Sequence, residues 1–166
     1  IKLANLRIYE TAIQTHGRKG MGTTIVAISF ARGKVYFAHV GDSRIYRMRD
    51  EILEQFTEDH SLLNDYKKMR GLTDEEVENF PHKNVIVRAL GMKDVVEVDT
   101  DSDDILSGDT FLLCSDGLNG MIKDDVIRTI MAEYADDLDL CCQKLVDAAN
   151  ENGGTDNVTV ALVEVL

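Results

Sequence analysis

Runs of apolar and β-branched residues in the first third of the chain have the length of short β-strands. These runs, separated by turns of two or three residues that contain Gly or Asp, cover residues 23–30, 34–40, 43–49 and 52–56. Connections this short join antiparallel strands, because a parallel pair needs a long crossover. The pattern therefore predicts an antiparallel sheet built from neighbouring strands.

A helical period replaces the strand pattern elsewhere. Apolar residues recur three or four positions apart, or follow a capping sequence, in five segments: 2–13, 62–69, 73–80, 124–134 and 138–149. In the first of these, Leu3, Leu6, Tyr9 and Ile13 are expected on one buried face. Strand character returns at 85–87, 95–98, 110–114 and 158–165. Strands grouped early and helices grouped late predict an α+β fold, with antiparallel sheets covered by helices.

The length and the cysteine usage limit the class of protein. A chain of 166 residues is typical of one domain, so we expect a single domain over 1–166, with the polar two-helix segment 58–89 as a flap. No apolar stretch approaches the roughly 18 residues of a membrane span. Three cysteines, two of them adjacent, indicate reduced thiols in a cytoplasmic protein. Because Ile1 is not an initiator Met and the predicted helix is already under way at Lys2, we expect that an upstream segment is missing.

The charge is divided unevenly along the chain. The net charge is −12, and residues 1–93 carry 15 Lys and Arg against 12 Asp and Glu, whereas residues 94–166 carry 3 against 18. The acidic part would be repelled by a phosphate backbone, which argues against nucleic-acid binding. It is compatible with divalent cations, although most of these carboxylates are as well explained by a solvated surface that aids solubility.

Two motif-like stretches do not fit the sites they suggest. Residues 17–24 look like a phosphate-binding P-loop, but Thr23 stands where that loop needs Lys, and the segment leads from helix to strand. Residues 99–103 look like the start of a calcium-binding EF-hand, but the Gly and Glu of that loop are replaced by Asp104 and Thr110. We interpret 99–103 as a solvated acidic turn. No spacing of Cys or His indicates zinc.

Three aspartates at predicted strand ends, each in a short segment that contains Gly, form the candidate site. Ser115-Asp116-Gly117 closes the run 110–114, Gly41-Asp42 closes the run 34–40, and the segment 153–157, which contains Asp156, opens the last run. A sheet fixes such carboxylates, and Gly lets the backbone turn tightly. One such turn alone is more often a local cap. Together, Asp42, Asp116 and Asp156 suggest one oxygen-rich metal site.

Five motifs, in this order, carry a resemblance to a known family. They are Gly-Met-Gly-Thr-Thr at 20–24, Gly-Asp-Ser-Arg at 41–44, Asp-His-Ser at 59–61, Ser-Asp-Gly at 115–117 and Gly-Gly-Thr-Asp-Asn at 153–157. Together they resemble the bacterial branch of the metal-dependent protein serine/threonine phosphatases, the PPM (type 2C) family. The resemblance covers essentially the whole chain, and it implies an antiparallel β-sandwich flanked by helices.

The resemblance also implies a chemistry and a set of partners. A water activated by Mg²⁺ or Mn²⁺, with two or three ions in the complete site, would hydrolyse phosphoserine and phosphothreonine. Asp116 and Asp156 match ligands of the first catalytic ion, and Asp42, with Asp116, matches those of an additional, more weakly held ion. The implied partners are phosphorylated substrates of a serine/threonine kinase. We expect a cytoplasmic monomer that binds neither nucleic acid nor membrane.

One departure from the family pattern keeps alternatives open. The family's Asp-Gly-Met-Gly-Gly motif, whose Asp bridges the two catalytic ions, is absent, since Asp116-Gly117 is the only Asp-Gly pair here. The chain is therefore part of a phosphatase, or a catalytically silent phosphoprotein-binding or regulatory module, or a metal-binding structural protein. The groups that act directly on the substrate stay unknown at this point. His39, in a predicted strand near Asp42, is considered for a catalytic role. A series of basic side chains offers charge for phosphate, although such clusters commonly serve only solubility: Arg44, Arg47, Arg49, Lys67, Lys68 and Arg70.

Overall fold

The helices and strands alternate much as the hydrophobic pattern predicts. The computed structural model describes residues 1–73, 76–77, 80–81 and 85–166. Helices with both ends in this part are α1 (Lys2–Gln14), α2 (Leu62–Arg70), α3 (Asp116–Asn119), α4 (Asp124–Glu133) and α5 (Leu138–Glu151). The strands are β1 (Ile25–Ala31), β2 (Lys34–Val40), β3 (Arg44–Arg49), β4 (Ile52–Gln55), β5 (Asp99–Asp104), β6 (Thr110–Cys114) and β7 (Val160–Glu164).

These strands form two sheets. The three-stranded sheet has the order β1-β2-β5, and the four-stranded sheet has the order β4-β3-β6-β7. Every pair in the second sheet is antiparallel, with Tyr46 opposite Leu112 and Leu112 opposite Leu162. The prediction of an α+β fold with antiparallel sheets flanked by helices is confirmed. Among the described residues, no helix combines the length and the apolar character that a membrane crossing needs.

The chain divides into two compact units. The first comprises Ile1–Ala27, Phe37–Asp42 and Glu58–Asp101, and the second comprises Ile28–Tyr36, Ser43–Thr57 and Ser102–Leu166. The prediction that 1–166 is one domain, with 58–89 as its flap, stays a prediction.

The core of the second unit lies between the four-stranded sheet and the last two helices. Helix α5 turns Cys141, Leu145 and Ala149 inward at a four-residue spacing, and α4 contributes Ile127 and Met131. Both helices begin favourably: Asp137 caps α5 by accepting a hydrogen bond from the Leu140 amide at 2.9 Å, and acidic residues occupy the first turn of α4. The two helices predicted near the end of the chain are confirmed.

The first unit has a smaller core of Val40, Leu90 and Val96, on which α1 packs in an unexpected orientation. The face predicted to be buried is exposed, with Leu3 at 68% and Ile13 at 63%. Asn5 is buried instead, because its side chain donates to two backbone oxygens and accepts from the Gly91 amide at 2.8 Å. A buried amide needs such partners, and these partners set the rotation of the helix.

The predictions between residues 73 and 104 need correction. The strand predicted at 95–98 is wrong, and the stretch predicted as a solvated acidic turn is strand β5. At least three of its four carboxylates are paired with cations: Asp99 with Arg88, Asp103 with Arg47 and Asp104 with Lys34. At 85–87 there is only an isolated bridge, between Ile86 and Ser61.

Half of the helix predicted at 73–80 falls outside the described residues. Its capping box is present, since the Thr73 amide donates to the Glu76 carboxylate at 2.9 Å and the Glu76 amide donates to the Thr73 hydroxyl at 3.3 Å.

Candidate metal site

The turns that carry Asp116 and Asp156 are joined in the second unit by hydrogen bonds of Ser115. The Ser115 amide donates to the backbone oxygen of Thr159 at 3.0 Å, and the Ser115 hydroxyl donates to the backbone oxygen of Asn157 at 3.1 Å. The same hydroxyl accepts from the Thr159 amide at 3.0 Å. Each aspartate is therefore one residue away from this set of bonds. The structure brings together the two segments from which these carboxylates project.

Gly117 allows the two turns to approach closely. A Cβ atom at this position would lie 2.3 Å from the Asn157 oxygen and 3.3 Å from the Val158 nitrogen. Any side chain would force the turns apart. The Gly beside Asp116 was expected to let the backbone bend, and in the structure it is required by the close contact with the other turn.

The two carboxylates differ in their surroundings. Asp116 is half-buried and begins α3 directly after β6, a strand held between β3 and β7. Asp156 is exposed, and one of its oxygens accepts a hydrogen bond from the Asn157 amide at 2.7 Å. Both carboxylates leave turns that are hydrogen-bonded to each other, and carboxylate oxygens are the donors that a hard cation such as Mg²⁺ or Mn²⁺ prefers. The residues present therefore fit the ion that the resemblance implies.

Asp42 lies in the first unit, in a buried turn that follows β2. It is 8% exposed and comes directly after Gly41, whose φ is +115°. A Cβ atom on Gly41 would lie 2.4 Å from the Thr24 methyl group. The turn is thus packed as tightly as the one at Gly117. The role of Asp42 as a ligand stays a prediction.

A histidine cluster in the first unit was not assigned from the sequence. His39 lies in β2, as expected, and its ring stacks on that of His60 with a centroid distance of 4.6 Å and an interplanar angle of 19°. His60 Nε2 lies 3.1 Å from an Asp99 oxygen, and Arg88 forms an ion pair with Asp99. The only sequence signal for this cluster is the Asp-His-Ser segment at 59–61.

The cluster is a hydrogen-bonded network with its own cation. The possible ligand atoms of His39, His60 and Asp99 lie within 4.8 Å of one another, a spacing compatible with a metal ion. Arg88 Nη1, however, lies 3.0 Å from His60 Nε2 and supplies the positive charge there. Burial lowers the pKa of His60, so the imidazole is neutral at neutral pH. Burial raises the pKa of Asp99, but the bonds from His60 and Arg88 outweigh it and lower the pKa overall.

Two of the arginines considered for phosphate attraction, Arg47 and Arg49, are engaged by acidic side chains within the second unit. Arg47 pairs with Asp103 at 2.6 Å. Arg49 binds both oxygens of Asp109 at 2.6 Å, and Asp109 is only 1% exposed. These cations stabilise the fold, and the structure gives no support to their role in binding phosphate.

Comparisons with known proteins identify the family. The sequence model of "Protein phosphatase 2C" matches residues 6–149. Protein phosphatase PhpP of Streptococcus pneumoniae serotype 2 is 40% identical over 167 residues, a match that covers 99% of this chain and 66% of PhpP. The chain belongs to the protein phosphatase 2C family, and the resemblance seen in its motifs is confirmed.

Solved structures agree with this assignment. A serine/threonine phosphatase of S. agalactiae superposes with a TM-score of 0.92 at 41% identity, covering 99% of this chain and 67% of that one. The catalytic domain of the protein phosphatase PstP, solved in complex with 2 manganese ions, gives a TM-score of 0.83 at 33% identity, covering 98% and 67%. The chain thus spans about two thirds of the length of these relatives.

Proposed function

We propose that this protein is a phosphatase that uses Mg²⁺ or Mn²⁺ to hydrolyse phosphoserine and phosphothreonine in proteins. The observation that carries the proposal is the close contact between the turns that bear Asp116 and Asp156. Hydrogen bonds of Ser115 join these turns, and Gly117 leaves the space for them to approach. The names of the relatives, protein phosphatase PhpP and serine/threonine phosphatase, support the reaction. The manganese complex of PstP supports Mn²⁺ as one usable ion.

The chain's own residues would prepare the site for the ion. When bound, a divalent ion supplies a water of lowered pKa and neutralises the phosphate oxygens. Asp116 and Asp156 would hold the ion, and the sheet behind Asp116 fixes the geometry before binding. Residues 94–166 carry 3 basic against 18 acidic side chains, so this part of the chain repels a phosphate group. That charge supports a requirement for a metal, because the substrate needs positive charge at the site.

Several finer points belong to the same proposal. Asp42 would be a ligand of an additional, weakly held ion, and the substrates would be products of a serine/threonine kinase. A cytoplasmic location is supported by three free thiols, of which Cys114 and Cys141 are buried. A monomeric state, and the absence of nucleic-acid and membrane partners, stay predictions.

The test removes one charge at a time from the full-length protein. Asp116→Asn and Asp156→Asn keep the size of each side chain, and Asp136→Asn, at an exposed position between α4 and α5, is the matched control. We expect kcat/KM for a phosphothreonine peptide with Mn²⁺ to fall at least about 100-fold for the first two variants, because even outer partners of metal ligands cost 10–100-fold. Calorimetry should show weaker Mn²⁺ binding in the same two variants, and the control should match the wild type.

Three results would contradict the proposal. Full activity in Asp116→Asn would exclude this carboxylate from the site. Binding of the phosphopeptide without release of phosphate by the wild-type protein would instead favour the catalytically silent binding module. Mn²⁺ binding by a wild-type protein that neither binds the phosphopeptide nor releases phosphate would favour a structural metal protein.

A further inference from the structure

His60 bonds to both peptide groups that flank Gly41. The Gly41 amide donates to His60 Nδ1 at 3.0 Å, and the His60 amide donates to the Gly41 oxygen at 2.9 Å. Because each peptide group is planar, fixing the planes on both sides of Gly41 fixes its two backbone dihedral angles. Those angles determine the direction in which the next residue, Asp42, leaves the turn. The bonds of His60 therefore fix the backbone from which Asp42 leaves the turn.

The ring of His60 is held in one tautomer. Nδ1 accepts the Gly41 hydrogen bond, so in the neutral ring the proton is on Nε2, which donates to Asp99 Oδ2 at 3.1 Å. Arg88 Nη1 lies 3.0 Å from the same nitrogen but, as a donor, bonds to Asp99 Oδ1 instead. Asp99 is itself oriented by its ion pair with Arg88. A carboxylate behind an imidazole commonly fixes both the tautomer and the ring plane. The acceptor atom facing Gly41 is thereby kept free of a proton.

The face of the His60 ring is covered by His39. The rings are stacked, and His39 Nε2 donates to the backbone oxygen of Glu58 at 2.9 Å. His39 is 4% exposed and His60 is 6% exposed. Water cannot replace a lost partner easily in such a place, so removing the acceptor would leave the Gly41 amide unsatisfied.

We propose that His60 is a positioning residue for Asp42: through Gly41 it presents the Asp42 carboxylate in the orientation needed to hold a divalent cation. This inference rests on the proposed function, in which Asp42 is a ligand of the more weakly held ion. His60 itself binds neither the ion nor the substrate. Asp99 and Arg88 act one step further back, because they hold the ring of His60.

Two substitutions of His60 separate positioning from general stability. Asn places an amide oxygen near the position of Nδ1 and keeps an acceptor for Gly41, whereas Gln places its amide near Nε2 and keeps a donor for Asp99 only. Asn5→Ala is the stability control, because it also removes buried hydrogen bonds in the first unit, including the one from the Gly91 amide.

The measurements are made on the full-length protein, with and without metal. Calorimetry with Mn²⁺ gives the affinity of the weaker site, and amide NMR shifts of Gly41 and Asp42 report the turn in the metal-free protein. We expect His60→Gln to weaken the affinity about 10-fold or more and to move both amide signals. The Mn²⁺ affinity of His60→Asn should stay within about 3-fold of the wild-type value, because Asn retains an acceptor for the Gly41 amide. Asn5→Ala should lower Tm without changing the affinity.

The inference is overturned if His60→Gln binds Mn²⁺ like the wild type, if Asn and Gln weaken binding equally, or if Asn5→Ala weakens it as much as Gln does. Failure of the proposed function looks different, because then the wild-type protein binds no Mn²⁺ and releases no phosphate. In that case the amide shifts of the metal-free variants decide whether His60 positions the turn. Unchanged Gly41 and Asp42 signals in His60→Gln would refute it.

Discussion

Gly117→Ala tests whether the contact between the two aspartate turns determines activity. The new Cβ would lie 2.3 Å from the Asn157 oxygen, whereas ordinary contacts begin at 3.4 Å, so the turns must separate by about 1 Å. Nearby backbone atoms lie at 2.8 and 3.3 Å, and no flexible side-chain end is among them. Overpacking of this kind costs about 1–3 kcal/mol of stability. A misplacement of about 1 Å at a catalytic site can cost about 100-fold in rate.

The assay compares kcat/KM for a phosphothreonine peptide, the Mn²⁺ affinity and Tm in the full-length protein. We expect Gly117→Ala to lose about 100-fold in kcat/KM and to bind Mn²⁺ more weakly. Gly33→Ala is the control, because its Cβ meets nothing within 4 Å while its φ of +73° strains any other residue. That strain costs about 1–2 kcal/mol. The control should therefore lower Tm and leave kcat/KM unchanged.

The reasoning fails if Gly117→Ala retains wild-type activity and Mn²⁺ affinity while Tm falls. The turns would then be able to separate without disturbing the carboxylates, and the bonds of Ser115 would serve only the fold. If the activity of Gly117→Ala returns on cooling as the protein refolds, the substitution affects only stability, and the reasoning fails in the same way.

Two further predictions concern stability and pH. Burial raises the pKa of Asp109, but the hydrogen bonds and charge of Arg49 outweigh it and hold the pKa below the usual value near 4. The stabilisation by this pair is therefore present above about pH 4 and is lost as the pH falls through the lowered pKa. Asp109→Asn should cost at least about 2 kcal/mol of unfolding free energy at pH 7, and that free energy, measured by urea unfolding, should depend less on pH in acid than it does in the wild type. Equal pH profiles for the two proteins would contradict this. Burial lowers the pKa of His60, so the folded state resists protonation and loses stability as the pH falls below about 6.5. His60→Asn should remove that loss between pH 7 and 5 in the same measurement, and an unchanged slope would exclude His60 as its source.

The elements that sequence patterns predict well are those whose burial follows a single period. Helix α5 and strand β6 belong to this class, because their apolar residues face one core and nothing polar competes. Strand β5 does not, since its residues are acidic and its stability depends on partners such as Arg47, which lies 56 residues away from Asp103. Helix α1 fails for the same reason: the bonds of Asn5 to distant backbone atoms override its apolar face.

The candidate site shows the same division. Carboxylates beside Gly are visible in the sequence, but the contact of Ser115 with Asn157 joins segments 42 residues apart and has no local signal. His60 was visible only as part of a motif. Its bonds to Gly41 join residues 19 apart, so their purpose appears only in the folded chain.

Both aspartate turns are built on the same physical plan. In each, a glycine lies where a Cβ would clash, at 2.3 Å in one turn and 2.4 Å in the other. In each, one polar residue both donates to and accepts from the backbone of the opposite segment: Ser115 in the second unit and His60 in the first. The backbone from which each carboxylate projects is therefore held by neighbouring residues of the same motifs. If the site works as we propose, the glycine, serine and histidine of these motifs should be nearly as sensitive to substitution as the aspartates themselves, because a carboxylate that is present but misdirected is no better a ligand than an amide.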